Sequence, residues 1–233
     1  MSVGERSIGE YLISSRSMAE YRAMFALGDA DLTGRVLDCP GGGASFTASA
    51  HQLGVDAMAV DPVYRRTAAK IAEHVREEVA RGAQWATDHA DDYRWEFYGN
   101  PDGHHRMRRE SAEKFGADIV ANPRRYRAGA LPRLPFADGT FDLVLSSHLL
   151  FTYADRLDYN FHRAALRELA RVAKGEVRVF PLVNQAGDPV DELLPPLLVE
   201  LESWGLQPRV GKVDYQFQRG ADAMLVFNGG TGP

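Results

Sequence analysis

Two aspartates, Asp38 and Asp61, each end a short apolar run, and three glycines, Gly41, Gly42 and Gly43, follow the first of them. The string Arg-Val-Leu-Asp-Cys-Pro-Gly-Gly-Gly-Ala-Ser-Phe at 35–46 reads as a buried strand, a tight turn and the start of a helix. Glycine has no Cβ, so such a turn brings backbone N–H groups close to a ligand. An acid at the strand end suits a ligand that is positive there. An acid about twenty residues further on, at the end of the next strand, suits a ribose diol. Ser147, His148 and Tyr153 form a second set, of types that transfer protons or hold a reacting group, just past another apolar run.

The loop excludes two common ligands. A nicotinamide fingerprint wants a third glycine where Phe46 stands, and a phosphate-binding loop wants a lysine that is absent here. A ligand with a ribose, a positive amino-acid end and no phosphate is S-adenosylmethionine.

Elements must place these groups together. Strands at 35–39 and 55–62 alternate with a helix to about Leu53 and with an apolar stripe at Tyr64, Ala68, Ile71, Val75 and Val79. Short joints between them imply a parallel α/β sheet built from right-handed crossovers. Residues 124–129 and 140–147 continue the sheet, the latter without alternation and therefore buried on both faces. A helix is predicted over 155–173, a strand over 176–182 and a helix over 190–204 that Pro195 and Pro196 should kink or restart. The stretches 206–215 and 223–227 read as an antiparallel pair, and 228–233 as a loose tail. Ahead of the sheet, 1–30 reads as one or two helices, with a capping box at Ser17 and Glu20, forming packing or a lid that points Tyr11 or Tyr21 at the ligand.

Residues 83–123 break the alternation and are too long for a plain connection, so they are expected to form an inserted, partly helical cap. Its aromatics, Trp85, Tyr93, Trp95, Phe97 and Tyr98, either dock the cap or line a site beneath it. His105 and Arg109 stand at i, i+4 and can clamp a carboxylate or form a solvated basic face.

The chain of 233 residues is expected to be one catalytic domain spanning 1–233, with 45% hydrophobic and 25% charged residues. A net charge of −5 gives no global drive toward nucleic acid or an anionic membrane. The single cysteine, Cys39, precludes an intrachain disulfide, and the seven histidines lack a ligand spacing, so no metal is expected. No signal peptide or membrane span is evident, which makes a cytoplasmic location the expectation.

The strings VLDCPGGGASF (36–46), AVDP (59–62), LPRLPFADGTFDLVLSSHLLF (131–151), ALRELARVAKG (165–175) and EVRVFPL (176–182) resemble a class I S-adenosylmethionine-dependent methyltransferase over roughly 18 to 228. The resemblance implies a Rossmann-like fold, with a seven-stranded mostly parallel sheet and helices on both faces. It implies methyl transfer to a small-molecule acceptor in bacterial secondary metabolism. It assigns Asp38, Pro40, Gly41, Gly42 and Gly43 to the methionine moiety, Asp61 to the ribose, Val63 (or Pro62) to the adenine face and Ala130 and Leu131 to the adenine edge. Ser146, Ser147 and His148 then close the site beside the sulfonium. Two departures stand out: Pro40 replaces the usual first glycine, and Ala130 stands where many members carry an acid.

Displacement at a sulfonium carbon needs positioning more than a protein nucleophile, and a base only if the acceptor must lose a proton. His148, with Ser147 and Tyr153, are the candidates for that task, against Asp155 and His162 as structural groups. The segments 146–162 and 213–225 also resemble a bacterial subgroup to which azetidine-2-carboxylate synthases are broadly similar. Those enzymes imply an alternative, in which the cofactor's own amine displaces the sulfonium and methylthioadenosine leaves. A binding module without turnover is the third reading.

Overall fold

In the computed structural model, residues 11–230 are described. The sheet is built from β1 (Arg35–Asp38), β2 (Asp56–Asp61), β3 (Tyr126–Ala128), β4 (Phe141–Ser147), β5 (Ala173–Phe180), β6 (Arg209–Lys212) and β7 (Ala223–Asn228). Its seven strands lie in the order β3-β2-β1-β4-β5-β7-β6. β7 is antiparallel to both neighbours, and the other pairs are parallel. The helices are α1 (Met18–Met24), α2 (Phe46–Gln52), α3 (Ala68–Asp88), α4 (Pro101–Ala121), α5 (Tyr159–Val172) and α6 (Leu194–Ser203). This is the Rossmann-like α/β architecture with helices on both faces.

Alternation along the central strands divides the core. Leu37, Val144, Val177 and Val179 face one side with Leu166, Leu169 and Leu197 of α5 and α6. Val36, Leu143, Leu145 and Phe180 face the other with Tyr21, Phe25 and Phe46. β4 is buried along nearly its whole length, as expected for a strand covered on both faces. Register sets Asp38 beside Ala59 and Leu145, so the carboxyl ends of β1, β2 and β4 open on one side of the sheet. That is where ligands bind in open α/β sheets.

Several boundaries differ from the expectation for stated reasons. The helix expected over 155–173 starts at Tyr159, because Asp158 caps it by accepting from Phe161 N at 2.8 Å. The helix expected over 190–204 starts at Leu194, with Pro195 and Pro196 in its first turn, where a missing N–H is harmless. Gly229 and Gly230 are tied to the body by backbone bonds from their N–H groups to the carbonyls of Gly175 and Ala170. Among the described residues ahead of β1 the only α-helix is α1, with the Ser17–Glu20 capping box; Ile8 lies outside the described residues. Residues 11–17 are an extended strap, not a helix. No helix among the described residues is long and apolar enough to cross a membrane.

The interruption over 83–123 comprises the last turn of α3, an aromatic linker and α4. α4 lies along α3, with Ala112, Phe115 and Ile119 packed on Ile71, Val75 and Val79. A Cβ on Gly116 would come within 3.2 Å of the Ala72 methyl, which shows how closely the two helices approach.

Candidate active site

The glycine turn is shaped by close contacts. A Cβ on Gly41 would lie 2.7 Å from both Ala59 Cβ and Tyr64 Oη, and Gly42 holds φ +50°, so neither position accepts a side chain without rearrangement. Gly43 has another role. Its added Cβ would overlap Val75, and its N–H donates to Ser14 O at 3.1 Å, so it seats α3 and the strap.

A pocket of about 850 Å³ opens over the strand ends. Its wall brings together Tyr11, Tyr21, Pro40, Gly41, Gly42, Asp61, Val63, Ala130, Leu131, Ser147, His148 and Tyr153 from the sequence-derived set. The structure sets three members of that set apart from the wall. Gly43 packs behind it. Ser146 is buried with its Oγ unpartnered, one residue out of phase with Ser147 on the strand. Asp38 lies fully buried beneath the turn; its Oδ1 accepts from Tyr21 Oη at 2.8 Å, and its Oδ2 has no partner.

Burial dominates the electrostatics of both acids. It drives Asp38 well above the ordinary carboxylate range, against the Tyr21 hydrogen bond, with Asp61 adding to the rise. It raises Asp61 to about 6, although Gly42 N (3.0 Å) and Val63 N (2.9 Å) donate to its two oxygens. A ligand ammonium at Asp38 and a diol at Asp61 would relieve both.

His148 is a backbone outlier with φ +50°, a conformation that costs a non-glycine residue and that tertiary contacts must hold. Its N–H donates to Phe180 O at 2.8 Å, and Nδ1 lies 2.8 Å from Ser147 Oγ. Burial, with Arg16 and Arg108 nearby, depresses its pKa well below 6.5, so the ring is neutral at physiological pH. Tyr153 is buried and has a positioning role, since its hydroxyl accepts from Leu12 N at 2.9 Å and its ring meets that of Tyr11. His162 is fully buried, with both ring nitrogens bonded to the carbonyls of Asp158 and Leu150, which makes it structural. Asp155 is exposed and pairs with Arg156.

The strap forms part of the wall. Ile13 N donates to Glu78 at 3.1 Å, Ser45 N to Arg16 O at 2.9 Å, and Ser111 Oγ to Arg16 O at 2.9 Å. On its far side lies a second, smaller cavity of about 130 Å³ that shares Leu12, Ile13, Ser14, His148 and Tyr153 with the first. Its other walls come from the interrupting segment (Trp85, Tyr93, His104, Arg108) and from Phe217. The cap aromatics thus do both things open to them: Tyr98 packs in the core, while Trp85 and Tyr93 line a cavity. The i, i+4 pair is shifted by one residue from the one singled out in the sequence. His105 and Arg109 are exposed, and His104 and Arg108 are buried, with Arg108 Nε donating to His104 Nε2 at 3.1 Å.

The residues fit S-adenosylmethionine. An orphaned buried carboxylate oxygen is available to an amine, a glycine cradle excludes any Cβ, and Asp61 has lone pairs left for a diol.

Comparison with known proteins agrees. A methyltransferase-domain family model matches residues 77–180, a range that begins after the glycine turn. An uncharacterised protein of Methanocaldococcus jannaschii is 26% identical over 95% of this chain and 97% of its own. The mitomycin 7-O-methyltransferase structure superposes with a TM-score of 0.50 at 15% identity, over 91% of this chain and 54% of that one. A protein of Pyrococcus horikoshii OT3 aligns over 96% of this chain and 94% of its own, with a TM-score of 0.45 and 16% identity. Residues 77–180 thus match a methyltransferase domain, and the strand order is that of the class I S-adenosylmethionine-dependent methyltransferase fold.

Proposed function

We propose that this protein transfers the methyl group of S-adenosylmethionine to a small-molecule acceptor, in keeping with a role in bacterial secondary metabolism. One observation carries the reading: a second cavity of about 130 Å³, the scale of a single ring, adjoins the cofactor pocket across His148. The net charge of −5 speaks for a small acceptor over a nucleic acid.

Asp38 Oδ2 would accept from the cofactor's amine, the side-chain-free turn at Gly41 and Gly42, whose N–H groups are taken by Val60 O and Asp61, would leave room for its methionine end, and Asp61 would accept from the ribose diol. Val63, Ala130 and Leu131 enclose the adenine. When bound, S-adenosylmethionine would supply an electrophilic methyl carbon for displacement by the acceptor's nucleophilic atom, with the thioether as leaving group. The strap and the aromatic walls exclude water and hold the acceptor in line, an effect of the order of 7–11 kcal/mol in well-oriented systems. His148 takes the proton of a hydroxyl or amine acceptor at Nε2. That needs the tautomer in which Nδ1–H donates to Ser147 Oγ, and a depressed pKa keeps the ring unprotonated.

Mass spectrometry of the nucleoside product tests the reading. S-adenosylhomocysteine formed only with an acceptor supports methyl transfer. Methylthioadenosine above the spontaneous background from cofactor alone replaces it with intramolecular cyclisation to azetidine-2-carboxylate. Tight cofactor binding with neither product leaves a binding module.

A further inference from the structure

The smaller cavity is polar in a specific way. Arg16 and Arg108 both line it, and both are at least nine-tenths buried. One carboxylate serves the two guanidiniums: Glu20 Oε1 lies 2.6 Å from Arg108 and 3.5 Å from Arg16, and also accepts from Tyr98 Oη at 2.6 Å. Its other oxygen is taken by Ser17 N and Oγ. Burial alone would raise Glu20, but Arg108 and Arg16 hold it below the usual carboxylate range, so it stays an anion. His104, which accepts from Arg108, is driven neutral by burial and by that guanidinium. The acid that does line the wall, Glu78, is already paired with Arg81 at 2.6 Å. The Arg16–Arg108–Glu20 cluster therefore keeps one uncompensated positive charge in a buried place, an arrangement that is costly unless a partner arrives.

The unsatisfied groups gather at the same wall. Arg16 Nε, Thr152 Oγ1 and Gln185 Oε1 are buried without a hydrogen-bond partner, and all three residues line this cavity. Natural proteins leave few such atoms, and a cluster of them asks for an occupant. Arg16 offers a donor to an anion, and Gln185 offers an acceptor to a hydroxyl or amine. Between them the surface is aromatic: Phe217 stacks on both Tyr93 and His104, with ring planes 16° and 18° apart.

We propose that this cavity, read as the acceptor site, takes a single-ring carboxylate that also carries a hydroxyl or amine, with Arg16 as the anion's anchor and the ring held among the aromatic walls. The proposal rests on the methyl-transfer reading for its occupant, but its test does not need turnover. The same guanidinium could instead hold the carboxylate of the cofactor itself, and the test separates the two.

The experiment is calorimetric binding to the full chain saturated with S-adenosylhomocysteine, using 4-hydroxybenzoate and its neutral isostere 4-hydroxybenzamide as probes. The acid is expected to bind about tenfold or more tightly than the amide, as for a charge-assisted hydrogen bond. Arg16→Met should remove that preference while leaving S-adenosylhomocysteine affinity intact, and Arg16→Lys should restore part of it. Equal binding of acid and amide by the wild type, or no binding of the acid, overturns the proposal without any variant. If Arg16→Met weakens S-adenosylhomocysteine about tenfold while the acid's advantage persists, the anchored carboxylate is the cofactor's and the acceptor assignment falls. The nucleoside product formed from S-adenosylmethionine, identified separately, shows whether the methyl-transfer reading survives.

Discussion

The two cavities on either side of the strap carry opposite charge. The larger is walled by Asp61, with Asp38 buried behind Tyr21 and Cys39, and is built from the ends of β1 and β2 with the glycine turn between them. The smaller is walled by Arg16 and Arg108 and assembled from the strap, α3, α4 and the loops after β4, β5 and β6. An acidic pocket selects a ligand with a positive end, and a cavity with surplus guanidinium selects a negative one. Placed side by side, with neutral His148 in the shared wall, they are the basis for the proposal of a cationic donor held against an anionic acceptor.

The sharpest test strikes the shared wall. His148→Asn keeps a residue that tolerates the left-handed backbone but removes the base. It should lower kcat by roughly 10²–10⁴ for an acceptor that must lose a proton, with S-adenosylhomocysteine affinity little changed. A loss of cofactor binding instead would mean that His148 belongs to the larger pocket alone.

Asp38→Asn attacks the acidic side. It should weaken S-adenosylhomocysteine binding by about tenfold to a hundredfold, the scale of one charged hydrogen bond. The fold should respond in the opposite sense. A carboxyl whose folded pKa is raised stabilises the protein below its ordinary value of 3.8, and that contribution is lost as pH rises through the folded value. Replacing it with an amide should therefore leave the ligand-free Tm at pH 8 no lower than that of the wild type, as thermal melts would show.

The acidic pocket was the legible one. Its acids, its glycines and the strand that carries them lie in one short string and its neighbour, so period and turn chemistry exposed them before any contact was known. Ser146 was misplaced because the strand is buried on both faces and lacks the alternation that would have fixed its phase. The basic cavity was almost invisible. His-His-Arg-Met-Arg-Arg at 104–109 contains two pairs at the same i, i+4 spacing, and only the start of α4 decides which pair turns inward. Asn100 sets that start by accepting from Gly103 N at 2.8 Å. Arg16 lay in a stretch read as helix; its partners are Glu20, four residues on, and Tyr215, from the far end of the chain. An S/T-x-x-E box at 17–20 was the one signal that a defined start, and so an unwound segment before it, lay there.

Asp61 gives a smaller and graded effect. In the ligand-free pocket it titrates near 6, and a ribose diol favours its ionised form. Binding must then release a proton at low pH, so S-adenosylhomocysteine affinity should fall about tenfold between pH 7 and pH 5 and stay flat above. Asp61→Asn should flatten that profile. A slope that persists in the variant would assign the titration to another group.

The smallest effect concerns the strap that divides the two cavities. Tyr153 supplies the hydroxyl that accepts from Leu12 N, while the rest of the strap is held by Glu78, Ser111, Gly43 and Ser45. Tyr153→Phe removes one of these bonds, worth about 1 kcal/mol, without opening a gap in the packing. If the strap is a fixed partition, hydrogen exchange at the Leu12 amide should quicken about fivefold while its other tethered amides keep their protection. If it opens as one body, the amides donated by Ile13 and by Gly43 and Ser45 toward it should quicken together. The second outcome would make the wall between donor and acceptor a moving element, and the order of ligand entry would then depend on it.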